Sequence, residues 1–164
     1  MDLFEYMREN ASEDDSPLAK RMRPVSLDDV VGQEHIIGKD KLLYRAIKAD
    51  KISSLIFYGP PGTGKTTLAM VIANTTKAEF RQLNATTAGK KDMEQVVNEA
   101  RDIKAMYGKR TILFIDEIHL LLGAGACKDG DIDLANALKP ILARGITRVV
   151  GATTTEEYEK YFSK

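Results

Sequence analysis

"SLIFYGPPGTGKTTLAMVIANTT", residues 54–76, holds the reading that decides the fold. Its first part is a short apolar run that stops at Gly59-Pro60, as a buried strand does when it meets residues unable to continue it. Its last part, from Lys65, has the composition of a helix. Between them, "GPPGTGKT" (59–66) matches G-x-x-x-x-G-K-[ST] in the context that gives this motif its meaning, after a strand and opening a helix. Glycines at 59, 62 and 64 let successive backbone N–H groups curl around phosphate oxygens, and the helix that follows adds the positive end of its dipole. Gly59, Pro60, Pro61, Gly62, Thr63, Gly64, Lys65, Thr66 and Thr67 are therefore the expected contacts to a nucleoside triphosphate, ATP. Lys65 would meet the β- and γ-phosphates, and the Thr66 hydroxyl would ligate Mg²⁺.

A second stretch supplies the acidic partner. "ILFIDE" (112–117) is an apolar strand that delivers Asp116 at its tip, where a carboxylate can hold Mg²⁺ directly or through water. Glu117, one residue further into the open, is placed to orient and activate an attacking water. Acidic pairs also cap helices, but downstream of a phosphate loop the catalytic reading is the stronger. Thr153 and Thr154 end another apolar run, "VVGATT" (149–154), where a hydroxyl could sense the γ-phosphate. Threonines at strand ends are common enough that this is a weak signal alone.

The rest of the chain alternates regularly. "KLLYRAIKAD" places Leu42, Leu43, Ala46 and Ile47 on one helical face, and "EFRQLN" (79–84) alternates as a strand. A helix follows over 91–106, with Met93, Val96, Val97, Ala100 and Ile103 at helical spacing. Strand 110–116 comes next, then a helix over 131–145 that Pro140 should kink, strand 147–154 and a helix from 155. Strands alternating with helices predict a three-layer α/β fold around a parallel sheet. The acidic, turn-prone "ENASEDDS" (9–16) marks residues 1–28 as an arm with little core of its own, leaving 29–164 as the nucleotide-binding domain.

Composition narrows the partners little. Lys+Arg and Asp+Glu both number 24 in 164 residues, so net charge favours neither nucleic acid nor membrane. No apolar run approaches the ~20 residues of a spanning helix. The single cysteine, Cys127, cannot form an internal disulfide and suits a reducing cytoplasm. It reads as an incidental loop thiol.

The order of phosphate loop, "DE" strand and threonine-tipped strand resembles the AAA+ ATPases, and residues 1–119 resemble the RarA/MgsA family of replication-associated recombination ATPases. "RMRP", "VVGQEHIIG" and the flanks of the phosphate loop carry that resemblance. It implies that Val31 and Gly32 contact the adenine, and that Asn84 can hold the catalytic Glu117 inactive. It also implies DNA or replication-fork proteins as partners, and assembly in a ring. After His119 the pattern changes: "LLLGAGACKDGDIDLANALKPILARGITRVVGATTTEEYEKYF" (120–162) resembles the first ATPase module of the Clp/Hsp100 unfoldases, in which Thr154 would be the γ-phosphate sensor. Unfoldases grip polypeptide with an aromatic-glycine loop, whereas the corresponding "NATTAGKKDME" (84–94) has no aromatic and instead carries Lys90 and Lys91. Measured against either family, the sequence looks to lack the last core strand, the arginine finger and the helical lid. "SLIFYG" is then expected at an edge of the sheet, turnover by the isolated chain is expected to be slow, and self-association is expected at the open edge.

Overall fold

The computed structural model describes residues 16–122 and 129–163. Helices α1 (Leu18–Arg21), α2 (Glu34–Ile37) and α3 (Leu42–Lys48) lead into an alternating series. This runs β1 (Leu55–Tyr58), α4 (Lys65–Thr75), β2 (Glu79–Asn84), α5 (Lys90–Tyr107), β3 (Thr111–Asp116), α6 (His119–Leu122), α7 (Asp129–Arg144), β4 (Thr147–Thr153) and α8 (Thr155–Tyr161). The four strands are all parallel, in the order β1-β4-β3-β2, so β1 lies at an edge as expected from the sequence.

The three layers can be read from strand periodicity, since successive side chains of a strand face opposite sides of the sheet. Ile112 and Phe114 of β3 join Val150 and Ala152 of β4 in a cluster with Ala69, Val71, Ile72 and Ala73 of α4. Leu113 and Ile115, with Val149, pack instead against Met93 and Val96 of α5 and Ile141 of α7. Residues 111–115 are all buried, as a central parallel strand covered on both faces must be.

One sequence expectation needs correction. Leu42 does not share the buried face of its helix: it is 80% exposed while Ile47 is 1% exposed, because only the far side of this two-turn helix meets the core. Within the expected N-terminal arm, Leu27, in a 3₁₀ turn over Leu27–Asp29, is buried in the cluster around α4. Pro140 sits inside α7, and the helix runs on to Arg144. Cys127 lies outside the described residues.

Strand β4 carries Gly151 opposite Ile115 of β3. A Cβ there would lie 2.5 Å from Cδ1 and 2.9 Å from Cγ2 of Ile118, the residue that follows the acidic pair. The two segments are also joined by the Ile118 N–H, which donates to the Ala152 carbonyl at 3.1 Å. Gly151→Ala is therefore expected to cost about 1–3 kcal/mol by overpacking, read as a lower urea midpoint with unchanged slope.

Candidate functional site

The parallel strands bring their C-terminal ends to one rim, and each is followed there by a site segment. Tyr58 is paired with Thr153, and Asn84 with Asp116, so the phosphate loop, the acidic pair and the threonine-tipped strand leave the sheet at the same level. This is the place where open α/β sheets bind ligands.

The loop after β1 takes the shape its glycines allow. Gly62 and Gly64 have φ of +75° and +85°, a left-handed conformation that side-chain-bearing residues rarely adopt, and a Cβ at either would meet nothing within 4 Å. The glycines are thus needed for backbone direction, and the space above them is open to a ligand. Lys65 begins α4, and its ammonium donates to the carbonyls of Gly59 at 3.1 Å and Pro60 at 2.9 Å. Thr63 Oγ1 donates to the same Pro60 carbonyl at 2.9 Å. The ammonium is thus held by neutral carbonyl acceptors of the loop itself, within reach of the space above Gly62 and Gly64, an arrangement suited to receiving phosphate.

Across a cavity of about 420 Å³, the loop residues Pro61, Gly62, Thr63, Gly64, Lys65, Thr66 and Thr67 face Asp116, Glu117, Thr153 and Thr154, with Arg23 at its border. Asp116 is half-buried, and its Oδ1 accepts the Glu117 N–H at 3.0 Å. Glu117 has φ of +56°, an uncommon value for a residue with a side chain. Thr154 caps α8, its hydroxyl accepting the Glu157 N–H at 3.3 Å. Among the described residues no three His, Cys, Asp or Glu side chains gather into a metal cage. A pair such as Thr66 and Asp116 suits Mg²⁺, which is ordinarily held by one or two protein groups, substrate phosphates and water.

Other expected site residues sit differently. Asn84 reaches the rim beside Asp116, but its Oδ1 accepts the Thr86 N–H at 2.9 Å and the Thr86 hydroxyl at 2.7 Å, closing a turn rather than holding Glu117. Val31 is 95% exposed, and Gly32, at φ of +83°, borders a cavity beside α2 and α3. The apolar hollow that adjoins the phosphate loop is lined by Gln33, Ile36, Tyr58 and Leu68 among others. Two site residues had no signal of their own in the sequence. Arg23 comes from the arm, and His119 is buried beside Glu117.

A phosphate loop, an acidic strand tip and a threonine strand tip, all at one end of a parallel sheet, define a P-loop nucleoside triphosphatase. Residues 55–163 match the ATPase family associated with various cellular activities (AAA), and the chain belongs to that family. It is 43% identical over 142 residues to replication-associated recombination protein A of Bacillus subtilis, covering 87% of this chain and 30% of that protein. It is 36% identical to heat shock protein hsp98 of Neurospora crassa, covering 98% of this chain and 19% of that protein. Relatives of both kinds that the sequence resembles are thus found, and each match runs past His119. The fold is similar to the Thermotoga maritima RuvB Holliday junction branch migration motor, with a TM-score of 0.56 and 29% identity over 82% of this chain and 42% of that one. The chain therefore spans less than a third of the recombination proteins it matches.

Replacing Lys65 with Ala removes the loop's cation, and ATP affinity should fall at least tenfold, about 1.4 kcal/mol. Titration of a fluorescent ATP analogue against both proteins checks this, and equal affinities would exclude the phosphate-loop assignment.

Proposed function

We propose that this chain binds Mg²⁺·ATP and hydrolyses it to ADP and phosphate as the ATPase domain of a protein acting in DNA replication and recombination. The observation that carries the reading is the meeting of the phosphate loop, Asp116 and Glu117 across one cavity. That meeting occurs in a chain 43% identical to a replication-associated recombination protein.

In this reading Lys65 and the loop N–H groups bind the β- and γ-phosphates, and Thr66 and Asp116 hold Mg²⁺, which would neutralise phosphate charge. Glu117 takes a proton from the water it orients. Thr154 stands at the γ-phosphate side, and Asn84 keeps the neighbouring turn in place. The base occupies the hollow lined by Ile36 and Leu68, with Val31 and Gly32, just ahead of Gln33, available to cover it. The cavity presents Lys65 and Arg23 as its cations. An added arginine from a neighbouring subunit is worth roughly 10³–10⁵ in rate where such residues act. Assembly with further copies in a ring is thus part of the proposal, and turnover by these residues alone should fall well below the ~1–10³ s⁻¹ usual for enzymes.

The similarity to hsp98 supports a second reading, a polypeptide-remodelling ATPase. Residues 84–94 weigh against it: they form the Asn84–Thr86 turn and the start of α5, and contain no aromatic side chain to grip a polypeptide. Phosphate release measured with forked DNA and with casein separates the two. Stimulation of about threefold or more by DNA alone is expected, and stimulation by casein alone would favour the second reading. Glu117→Gln should keep Mg²⁺·ATP binding and lose nearly all turnover, because an amide cannot accept the proton.

A further inference from the structure

Glu117 is held at both ends. Its backbone is fixed in the left-handed region by the bond of its N–H to Asp116 and by the bond of the next N–H to the Ala152 carbonyl. Its carboxylate Oε2 lies 3.5 Å from Nε2 of His119. The His119 side chain is buried, and its other ring nitrogen, Nδ1, is 2.9 Å from Oγ1 of Thr153, itself 3% exposed at the end of β4. The imidazole also lies against the ring of Tyr161 in α8, with centroids 6.3 Å apart and planes 17° from parallel.

From this geometry we infer that His119 is a positioning residue for Glu117: it fixes the carboxylate and ties it to the tip of the threonine strand. The proton arrangement follows from the partners. A carboxylate can only accept, so the inferred tautomer is the one that carries its hydrogen on Nε2, toward Oε2. Nδ1 is then the acceptor, and the Thr153 hydroxyl donates to it. Asn84, expected from sequence resemblance to restrain Glu117, accepts from Thr86 at its Oδ1, whereas Nε2 of His119 lies 3.5 Å from Oε2. Because Thr153 precedes Thr154 and Tyr161 belongs to the helix that Thr154 caps, a shift at the γ-phosphate end of β4 is transmitted to Glu117 through one ring.

The inference that His119 matters to turnover rests on the ATPase reading above, so its test has one arm independent of hydrolysis. Long-range ¹H–¹⁵N spectra of the whole chain should show His119 as the Nε2–H tautomer, and Thr153→Val should perturb the Nδ1 resonance. An Nδ1–H tautomer, or a resonance indifferent to Thr153→Val, would overturn the relay whatever the chain hydrolyses. In the kinetic arm, His119→Asn, which cannot extend a donor to Oε2, should lower kcat about tenfold with the ATP dissociation constant unchanged. His119→Gln, whose amide N–H reaches the Nε2 position, should recover to within about threefold of the parent. In a Glu117→Gln background, His119→Asn should have no additional effect on turnover, as residues acting through one another are not additive. Equal losses in the Asn and Gln variants, or a loss of ATP affinity matching the loss of kcat, would assign His119 a merely structural role. Absence of turnover in the parent itself would count against the ATPase reading and leave the spectroscopic arm to decide the positioning.

Discussion

The arrangement of the site depends on one contact, the side chain of Ile118 pressed onto the bare Cα of Gly151. Strand β3 is buried on both faces and cannot turn at its end without finding room against its neighbour β4. Gly151 provides that room, and the Ile118 N–H to Ala152 bond uses it, so the chain leaves β3 close along β4. Asp116 then stops at the rim, Glu117 turns outward with positive φ, and His119 comes back under the strand ends to meet Thr153. A larger residue at 151 would push the acidic segment away from the threonine tip and widen the cavity that they share with the phosphate loop.

The backbone cost of that turn is of the order of 1–3 kcal/mol for a residue held in a sparsely populated region. It is offset locally, by a charge-assisted bond from the Glu117 N–H to Asp116 and by burial of Ile118 and Leu121 in the cluster below. The strain therefore falls on the residue whose side chain must project from the rim, while its neighbours on either side are anchored. Such a conformation persists where the surrounding packing over-determines it, as the bonds and burial on either side of Glu117 do.

Most of this was legible in the sequence for identifiable reasons. Fully apolar strands bounded by Gly59 and by Asp116 have few other readings, and the phosphate loop carries its own geometry in the spacing of Gly62, Gly64 and Lys65. Leu42 was misread because periodicity names a helix face without saying how wide the contact with the core is, and α3 is only Leu42–Lys48. Leu27 and Arg23 were hidden by the polar residues around them: the arm reaches the core and the cavity by tertiary packing that no local pattern announces. His119 was invisible for a similar reason. Its partner Thr153 is distant in sequence, and only the β3–β4 pairing puts the two together.

The edge strand shows how binding and stability pull on the same residues. On its inner side β1 pairs with β4, so Tyr58 and Thr153 are held in register and the loop begins at a fixed height above the sheet. On its outer side Ile56 and Tyr58 remain 36% and 51% exposed, beside an open apolar hollow, and the Tyr58 ring is covered on one face by Tyr158 at a centroid distance of 3.7 Å. Tyr158 sits on the same helix as Tyr161, which packs against His119. Helix α8 therefore touches both ends of the site: the strand that launches the phosphate loop and the ring that lies beside Glu117. The exposed side chains of β1 and the ring beside Glu117 are thus linked through two tyrosines one helical turn apart on α8.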